Sequence, residues 1–590
     1  MDGAQGEEDI VAKFRTVYDT LYNSADTQPE MADLLDKVNR MVGNNSVQEV
    51  IKITGSKVKE AACLLKANKG DVSGGFTSDA LLNAPDIMFE QLAVVFQSWL
   101  IHGTVTAYLL ACCFLPLIKG TKDPADTGSY RAIAGSSLIL KLFEKVILLV
   151  WGHLLANDSL QFGFKAKTST TQCTWLVSEV VQHFLRQGSH PIVTLLDCKA
   201  AFDTCKFSIL FSSVLESGVP AIVARAMMYS YQHQHAWVRW GEARSDLFTI
   251  RNGTRQGSIA SPVLWSVYCD LLIKELRALG LGAHVAGVFM GVAAYADDLV
   301  LIAPTRHAMQ QMLNVCEDFA SRYNIFFSTD PNPTKSKSKC IFMMGRATNL
   351  AKPVPLTLCG QDLPWVESAT HLGHELHQSG TMEHDAKVAR ARFIEQSVEV
   401  RQTFFFASPA EVIRALQVYC SSHYGAMLWD LQGDGAVQYC NSWTTAIKLA
   451  WNCPRATRSW CKRSCHVDCG FTSAKTDILV RYGKFFQGLR ISPCREVAIL
   501  ANLVARDIRS STGSNVRLLW ESSDRNPWCS GSASLRTGVS KSEIVDVPEA
   551  DRWRMRYLGT LLAQRQECHY QGQEELEQEV QRLIDSLCVN

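Results

Sequence analysis

Residues 288–304 read VFMGVAAYADDLVLIAP. Two short apolar runs flank the acidic pair Asp297 and Asp298, which predicts two β-strands joined by a turn that carries both carboxylates. An Asp-Asp pair alone is a weak signal, because roughly one is expected by chance in a few hundred residues of average composition. Here the flanking strands would hold the pair at the tip of a rigid hairpin, where carboxylate oxygens can bind a hard cation such as Mg²⁺.

A second acid follows another apolar run. Residues 191–197 read PIVTLLD, which predicts a short strand that ends in Asp197. Acids from two separate strands can clamp two metal ions about 3.5–4 Å apart, an arrangement that activates a hydroxyl and stabilises a leaving pyrophosphate. Asp203 follows Phe202 and is expected to open a helix, where an acid interacts favourably with the helix dipole.

A third segment, RNGTRQGSIASP at residues 251–262, lies between these two. The runs DCKAAFD (197–203), RQGSIASP (255–262) and YADD (295–298) resemble, in their order and separation, the palm motifs of reverse transcriptases, most closely those of non-LTR (LINE-like) retrotransposons. The resemblance covers about residues 60–510. It implies an α+β fold of the right-hand polymerase type, in which fingers and palm are followed by a helical thumb.

The resemblance implies roles for the matched palm residues. Asp197, Asp297 and Asp298 match the metal-binding acids, and Asp297 is expected to be the direct ligand of the pair. Phe202 matches the aromatic residue that packs under the incoming sugar and excludes a 2′-hydroxyl. Because strand alternation would put Asp197 and Phe202 on opposite faces, we expect the chain to leave the strand between them. The implied cofactor is two Mg²⁺ ions, with Mn²⁺ as an alternative.

Other matched residues surround the incoming nucleotide. Gln256 and Gly257 match the motif near the template and the nucleotide, and Gly257 would permit close approach of the backbone. Upstream, Lys119 and Arg131 resemble the finger residues that contact the triphosphate, and Arg131 suits a bidentate phosphate contact. The family usually has Pro where this chain has Ala132.

Downstream, three lysines lie in a segment that resembles motif D of the family. Of Lys335, Lys337 and Lys339, Lys337 aligns best with the catalytic lysine that protonates the leaving pyrophosphate, while a run of solvated lysines is the alternative for the other two. Residues 371–374, HLGH, resemble the primer-grip turn. Its two histidines lack a third ligand at a spacing that suits a metal.

The chain divides into four predicted regions. They are an N-terminal helical extension (1–75), the fingers and palm (76–375), a helical thumb-like region (376–510) and a linker with a C-terminal helical tail (511–590). Residues 80–118 are expected to form one or two helices. Residues 453–509 hold eleven Lys and Arg against four acids, which predicts phosphate contacts to a template–primer duplex. The alternative is that these charges are spread around helices without a common face.

The composition of the chain excludes several classes of protein. Hydrophobic residues make up 47% of the chain, which excludes a mainly disordered protein. Lys and Arg number 59 and Asp and Glu 58, which excludes a globally basic nucleic-acid binder. No apolar stretch is long and uncharged enough to span a bilayer, so no membrane partner is expected. The scattered cysteines predict reduced, intracellular thiols. The tight set Cys461, Cys465, His466 and Cys469 is too closely spaced for an ordinary zinc site.

The favoured function is therefore an RNA-directed DNA polymerase, whose partners are an RNA template, a DNA primer, the RNA–DNA hybrid and dNTPs. It is expected to lack its own endonuclease, because few residues precede the fingers and no cleavage motif is visible. One alternative is an RNA-directed RNA polymerase, which YADD and Phe202 disfavour. The other is a catalytically silent, nucleic-acid-binding relic of such an element. The resemblance implies nuclear action, with a cytoplasmic ribonucleoprotein as the alternative.

Overall fold

The computed structural model of the chain describes residues 3–524, apart from residues 5, 26–27, 45–51, 121–122, 331, 333–334, 346–349, 451–473 and 508. The predicted C-terminal tail and the cysteine cluster at residues 461–469 lie outside the described residues. Within the described part, no helix has the length and apolarity needed to cross a membrane.

Helices and strands are mixed along the described chain, which confirms the predicted α+β class. The helices are α1 (Glu7–Tyr22), α2 (Gln28–Asn44), α3 (Gly55–Cys63), α4 (Ser78–Leu82), α5 (Asp86–His102), α6 (Leu138–Trp151), α7 (Thr170–Arg186), α8 (Ala201–Thr204), α9 (Phe207–Glu216), α10 (Ala221–Gln232), α11 (Ser261–Ala278), α12 (Arg306–Tyr323), α13 (Glu383–Thr403), α14 (Pro409–Cys420), α15 (Asp434–Ala450), α16 (Ala474–Arg490), α17 (Arg495–Val504) and α18 (Ser511–Asp524). The strands are β1 (Ala111–Ile118), β2 (Tyr130–Gly135), β3 (Ile192–Lys199), β4 (His235–Trp240), β5 (Ala243–Arg244), β6 (Phe248–Thr249), β7 (His284–Val285), β8 (Val288–Phe289), β9 (Val292–Tyr295), β10 (Asp298–Ala303), β11 (Phe326–Phe327), β12 (Lys339–Phe342), β13 (Leu356–Leu358), β14 (Gln361–Leu363), β15 (Ser368–His371) and β16 (His374–His377).

The first sheet contains β1, β2, β4, β5 and β6. Strand β1 pairs antiparallel with β2, so that Leu117 lies opposite Arg131, and parallel with β4. The expectation that residues 80–118 are helical is therefore wrong for residues 111–118. Cys112, Cys113 and Phe114 are buried in succession. A continuous apolar run of this length cannot be told from a buried helix by its periodicity alone.

The second sheet is the palm, and β3 is its central strand. Strand β3 pairs antiparallel with β10, β11 and β12, and β10 pairs with β9. After its first residue, β10 is buried at every position. Successive strand residues face opposite sides, so both faces of β10 are covered. Helices α7 and α12 both contact it.

Helix α1 packs against the first sheet through β4 and β5. Its buried residues are Val11, Phe14, Tyr18 and Tyr22, a spacing of three and four residues that makes one apolar face. Val17, on the same helix, is 36% exposed and lies at the edge of this face. The first helix thus shares a core with the first sheet.

Helices predominate after the palm. Helix α13 contacts α14 and α15, and α16 contacts α17 and α18. Residues 511–524 were expected to begin a linker but form α18. Its Thr512 hydroxyl donates to Glu179 at 2.6 Å and accepts from the Trp175 indole at 3.0 Å, both on α7. The Ser and Gly content of this segment predicted a loop, but these buried contacts to α7 stabilise a helix.

Candidate active site

The acidic pair lies in the turn between β9 and β10, as the alternating apolar runs predicted. Ala296 adopts a left-handed backbone conformation with φ 59°. Its amide donates to the side-chain oxygen of Gln161 at 3.0 Å, and the Gly163 amide donates to the same oxygen at 2.9 Å. A Cβ atom at Gly163 would collide with the backbone of Ala296. The buried side chain of Gln161 therefore fixes the turn that presents Asp297 and Asp298.

Asp298 and Asp197 lie directly opposite each other in the pairing of β10 with β3. Residues opposite in an antiparallel pair project to the same face of the sheet. The Asp197 carboxylate accepts from the Lys337 ammonium at 3.0 Å, and the Asp197 amide donates to the Ser338 hydroxyl at 3.3 Å. The structure thus brings Asp197, Asp298 and Lys337 together, with Asp297 beside them in the turn.

Burial and mutual repulsion raise the pKa values of two carboxyls in this acidic group, Asp297 and Asp298. Burial raises the pKa of Asp297, and the charge of Asp197 adds to the rise. Desolvation around the turn, with the charges of Asp297 and Asp197, raises the pKa of Asp298 to about 6, although this side chain reaches solvent. Carboxylates that repel one another in this way are stabilised by a bound cation.

The acids have the donor chemistry that a divalent metal needs. Carboxylate oxygens are the ligands that Mg²⁺ and Mn²⁺ prefer. In the described residues, however, no three His, Cys, Asp or Glu side chains are already drawn together as a metal site. Asp197, Asp297 and Asp298 therefore suit a divalent cation by the chemistry of their oxygen donors.

Phe202 lies just beyond the palm strand. The chain leaves β3 at Lys199, passes through Ala200 at φ 49° and enters the short helix α8, as the spacing from Asp197 to Phe202 required. The Phe202 ring packs on Trp265, with centroids 5.1 Å apart, and meets the exposed Phe164 edge-to-face at 6.1 Å. One side of the Phe202 ring is thus supported, and the residue follows the end of β3 by three positions.

Asp203 lies in the first turn of the short helix α8, as the sequence predicted, but its carboxylate is buried among partners from distant segments. The carboxylate accepts from the Tyr22 hydroxyl at 2.5 Å and from the Gln256 amide nitrogen at 2.9 Å. Burial raises the pKa of Asp203 to about 6, while these two hydrogen bonds and the charges of Lys119 and Arg131 oppose the rise. The sequence showed no pairing partner, because Tyr22 lies far away along the chain.

The loop that carries Gln256 and Gly257 is tied to the α8 segment and to the first sheet. The Gly253 and Thr254 amides donate to the carbonyls of Cys205 and Phe202, and the Gln256 carbonyl accepts from the Ala134 amide of β2 at 2.6 Å. Gly257 has φ 124°, and a Cβ atom there would collide with the Ala134 carbonyl. The predicted close backbone approach at Gly257 is therefore to the neighbouring strand β2.

Glu144 on α6 holds the other side of this loop. One carboxylate oxygen accepts from the Ser258 hydroxyl at 2.7 Å and from the Ile259 and Ala260 amides, and the other accepts from Arg255 at 3.2 Å. Both members of the ion pair are buried. Sequence reasoning missed this role, although an acid on the apolar face of a helix is a recognisable signal for a buried partner.

The finger hairpin, formed by β1 and β2, carries two cations. Lys119 follows β1, and its ammonium donates to the Gly128 carbonyl at 3.1 Å. Arg131 in β2 is exposed. Both charges lower the pKa of Asp203, and Arg131 also lowers that of Asp297. Lys119 and Arg131 therefore lie within electrostatic range of Asp203, and Arg131 also within that of Asp297.

The remaining predicted residues are the three lysines of the motif D segment and the two histidines of the predicted primer-grip turn. Of the three motif D lysines, only Lys337 contacts an acid of the site; Lys335 is exposed and Lys339 begins β12. His371 and His374 pair across the β15–β16 hairpin, and both are buried. Burial lowers their pKa values to about 3 and about 4, so both imidazoles are neutral.

The basic segment is described only from residue 474 onward. Arg481 pairs with Asp477 at 2.9 Å, and Arg509 pairs with Asp507 at 3.0 Å. The exposed Lys475 and Lys484 lie nine positions apart on α16, which puts them about 180° apart around the helix axis. These two lysines do not share a face of α16. The charges on this helix are therefore spread around its axis without a common face, which was the alternative to a phosphate-binding surface.

Comparison with known proteins gives one consistent family. Residues 119–376 match the family described as reverse transcriptase (RNA-dependent DNA polymerase). The chain is 23% identical over 327 residues to the Pol polyprotein of the type-2 retrotransposable element R2DM of Drosophila melanogaster, covering 55% of this chain and 30% of that protein. It is 25% identical over 268 residues to the corresponding R2 polyprotein of Nasonia vitripennis, covering 45% and 25%.

A third relative is the RNA-directed DNA polymerase of the mobile element jockey from Drosophila funebris, with 23% identity over 46% of this chain and 30% of that protein. The chain thus spans less than a third of the length of these curated relatives. A solved telomerase structure from Candida albicans superposes with a TM-score of 0.34 and 11% identity, over 73% of this chain and 69% of that one. That similarity is too low to carry an argument.

Proposed function

Since the chain carries a reverse transcriptase domain of the non-LTR (LINE-like) type, we propose that it extends a DNA primer with dNTPs on an RNA template. The observation that carries the proposal is the grouping of Asp197, Asp298 and Lys337 at the end of the palm sheet, with Asp297 in the adjoining turn. This is a cluster of hard oxygen donors next to a proton donor, inside the segment that matches the polymerase family.

We propose Asp197, Asp297 and Asp298 as the residues that hold two divalent ions, Mg²⁺ or Mn²⁺. Ions bound there would neutralise charge on the attacking hydroxyl and on the leaving pyrophosphate. The protein's own contribution is to fix these carboxylates. Asp298 and Asp197 are held by the β10–β3 ladder, and Gln161 holds the turn at Ala296.

The cations around the acids have separate proposed tasks. Lys119 and Arg131, on the finger hairpin, would bind the triphosphate, and the planar guanidinium of Arg131 can hold two phosphate oxygens. Lys337 would donate a proton to the pyrophosphate oxygen as its bond to the α-phosphorus breaks. Its hydrogen bond to Asp197 supports this task, because the contact keeps the ammonium beside the reacting phosphate.

Phe202 is proposed to select the sugar. Its ring is braced by Trp265, so it would not move aside easily for a 2′-hydroxyl. This favours dNTPs over ribonucleotides and supports DNA synthesis over RNA synthesis. Gln256 and Gly257 are proposed to border the template and the base of the nucleotide.

The proposal for nucleic-acid partners is a template RNA, a DNA primer and the hybrid that they form, held between the palm and the thumb-like helices after residue 376. Nuclear action with cytoplasmic assembly into a ribonucleoprotein is proposed on the family alone. The proposed chemistry is extension only. A metal-dependent nick introduced into supercoiled DNA by the purified chain would contradict that limit.

The test is extension of a labelled primer on an RNA template, with a DNA template of the same sequence beside it. The proposal predicts that dNTPs are incorporated on RNA and that the product is an RNA–DNA hybrid, sensitive to ribonuclease H. A folded protein that binds the RNA and incorporates nothing with Mg²⁺ or Mn²⁺ would contradict it and favour a silent relic.

A further inference from the structure

The end of helix α1 is bonded directly to the loop that carries Gln256. The Tyr22 hydroxyl donates to one carboxylate oxygen of Asp203 at 2.5 Å. The Gln256 amide nitrogen lies 2.9 Å from each of the two carboxylate oxygens. Tyr22 is fully buried and Asp203 is 6% exposed. A phenol, a carboxylate and an amide thus form one chain of hydrogen bonds that solvent barely reaches.

The backbone makes the same connection a second time. The Arg251 and Asn252 amides donate to the Tyr22 carbonyl at 3.0 and 3.1 Å. The Asn252 side chain donates to the Leu21 carbonyl at 3.1 Å and to the Asp203 carbonyl at 2.7 Å. The end of α1, Asp203 and the loop therefore form a single bonded unit, and Tyr22 cannot shift without disturbing the loop.

The Asp203 carboxylate determines whether the nitrogen or the oxygen of the Gln256 side-chain amide is free to bind a ligand. An ionised carboxylate only accepts hydrogen bonds, so it selects the nitrogen of the amide as its partner. The amide oxygen is then directed away from Asp203 and is left as an acceptor. The Tyr22 hydroxyl strengthens this selection, because it stabilises the ionised carboxylate by a hydrogen bond in a region of low dielectric constant.

Gln256 lies where such an acceptor would meet the incoming nucleotide or the template. Its carbonyl is bonded to Ala134 of β2, the strand that also carries Arg131. Its side chain is bonded to Asp203, which follows Phe202 directly in the chain. The side chain therefore stands between the proposed triphosphate-binding strand and the proposed sugar-selecting ring.

We propose that Tyr22 and Asp203 are positioning residues that fix the Gln256 amide with its oxygen toward the nucleotide and template, so that the first helix of the chain is a working part of the polymerase site. This inference rests on the proposed function. It adds that Tyr22, more than two hundred positions before Gln256 in the chain, sets nucleotide affinity.

The chain offers a matched control for Tyr22. Tyr18 lies one turn earlier on α1, is also buried, and lies near enough for the charge of Asp203 to raise its pKa. Its hydroxyl is buried without a hydrogen-bond partner among the described residues. Tyr22→Phe and Tyr18→Phe remove the same atom from the same helix, but only the first removes a bond to Asp203.

The first measurement is steady-state primer extension with the wild-type chain and both variants. Loss of a hydrogen bond to a charged group predicts that Tyr22→Phe raises the KM for dNTP about three- to tenfold, with a smaller change in kcat. Tyr18→Phe should match the wild type. Asp203→Asn, which offers Gln256 both a donor and an acceptor, should raise the KM as Tyr22→Phe does.

A double-mutant cycle separates positioning from general damage. If Tyr22 acts through the Gln256 side chain, Tyr22→Phe should raise the KM no further in a Gln256→Ala background. A purely structural role would raise the KM by the same factor in both backgrounds, and that result would overturn the proposal.

A second measurement does not depend on activity. Amide hydrogen exchange in residues 252–257 should be about tenfold faster in Tyr22→Phe than in Tyr18→Phe, because the loop loses a side-chain anchor. If wild-type protein incorporates no dNTP, the proposed function fails while this comparison still decides whether Tyr22 holds the loop. Equal exchange and equal KM in the two variants would overturn the inference and leave the polymerase function standing.

Discussion

Asp298 stands directly opposite Asp197 across the β10–β3 pair, and Lys337 bonds to Asp197 at 3.0 Å. The two carboxylates project to one face because opposite residues in an antiparallel pair do so. Main-chain pairing therefore sets their separation, so a change in one side chain should leave the other in place. This geometry lets each charged group be tested singly.

Lys337→Ala should lower kcat by about ten- to a hundredfold with little change in the KM for dNTP, because the lysine is proposed to act as a general acid in the chemical step. Single-turnover incorporation measures the effect. Lys335→Ala is the matched control, since Lys335 is an exposed lysine two positions away. Equal rates for the two variants would show that Lys337 donates no proton in the reaction.

Glu144→Gln should destabilise the protein by about 3 kcal/mol, because it leaves the Arg255 guanidinium buried without an opposing charge. Both side chains of this pair are almost inaccessible to solvent. Urea unfolding gives the free energy of unfolding. Glu395→Gln, on the exposed face of α13, should cost less than about 0.5 kcal/mol. If Glu144→Gln lowers the free energy of unfolding as little as the control does, Arg255 has another partner in the variant.

Asp270 predicts a dependence of stability on pH. Burial raises the pKa of Asp270 to about 7 from its ordinary value of 3.8. One of its oxygens accepts from the Asp158 amide, and the other is buried without a partner among the described residues. A carboxyl whose pKa is higher in the folded chain keeps its proton on folding. This contribution to stability is therefore largest below pH 4 and falls as pH rises toward 7.

In Asp270→Asn, the fall in the free energy of unfolding between pH 4 and pH 8 should be smaller than in the wild type by roughly 2–4 kcal/mol. Urea unfolding at a series of pH values measures it. Asp318→Asn, an exposed carboxyl on α12, is the control and should keep the wild-type slope. If the free energy of unfolding of Asp270→Asn falls with pH as steeply as that of the wild type, the Asp270 carboxyl is ionised in the folded protein.

Phe202→Ala should increase ribonucleotide incorporation relative to dNTP about ten- to a hundredfold, because a 2′-hydroxyl would no longer meet the ring. The ratio of kcat/KM values for ribonucleotide and dNTP is the measurement. Phe326→Ala removes an exposed ring from β11 in the palm and should leave the ratio unchanged. An unchanged ratio in Phe202→Ala would move sugar selection to another residue.

The local parts of the site were predictable from the sequence. Strands that carry Asp197 and the Asp297–Asp298 turn follow from short apolar runs that end in acids. The departure of the chain from the strand before Phe202 followed from the odd spacing to Asp197 together with the sugar-contacting role that the resemblance implied. Each of these features depends only on residues close together in the sequence, where periodicity and turn chemistry decide the structure.

The supporting contacts were not predictable in the same way. Tyr22, Gln161 and Glu144 reach the site from distant segments, and their partners are set by tertiary packing. Residues 111–118 and 511–524 were assigned wrongly for the same reason. Pairing with β2 and β4 makes the first a strand, and burial against α7 makes the second a helix.

The decisive measurement is primer extension on an RNA template by wild-type protein beside Asp297→Asn. Asp362→Asn, an exposed carboxyl on β14, is the control. We expect incorporation by the wild type and the control, incorporation at least about a thousandfold lower in Asp297→Asn, and equal RNA binding by all three. Equal incorporation by the wild type and Asp297→Asn would contradict the proposed metal site, and no incorporation by folded, RNA-binding wild type would contradict the polymerase itself.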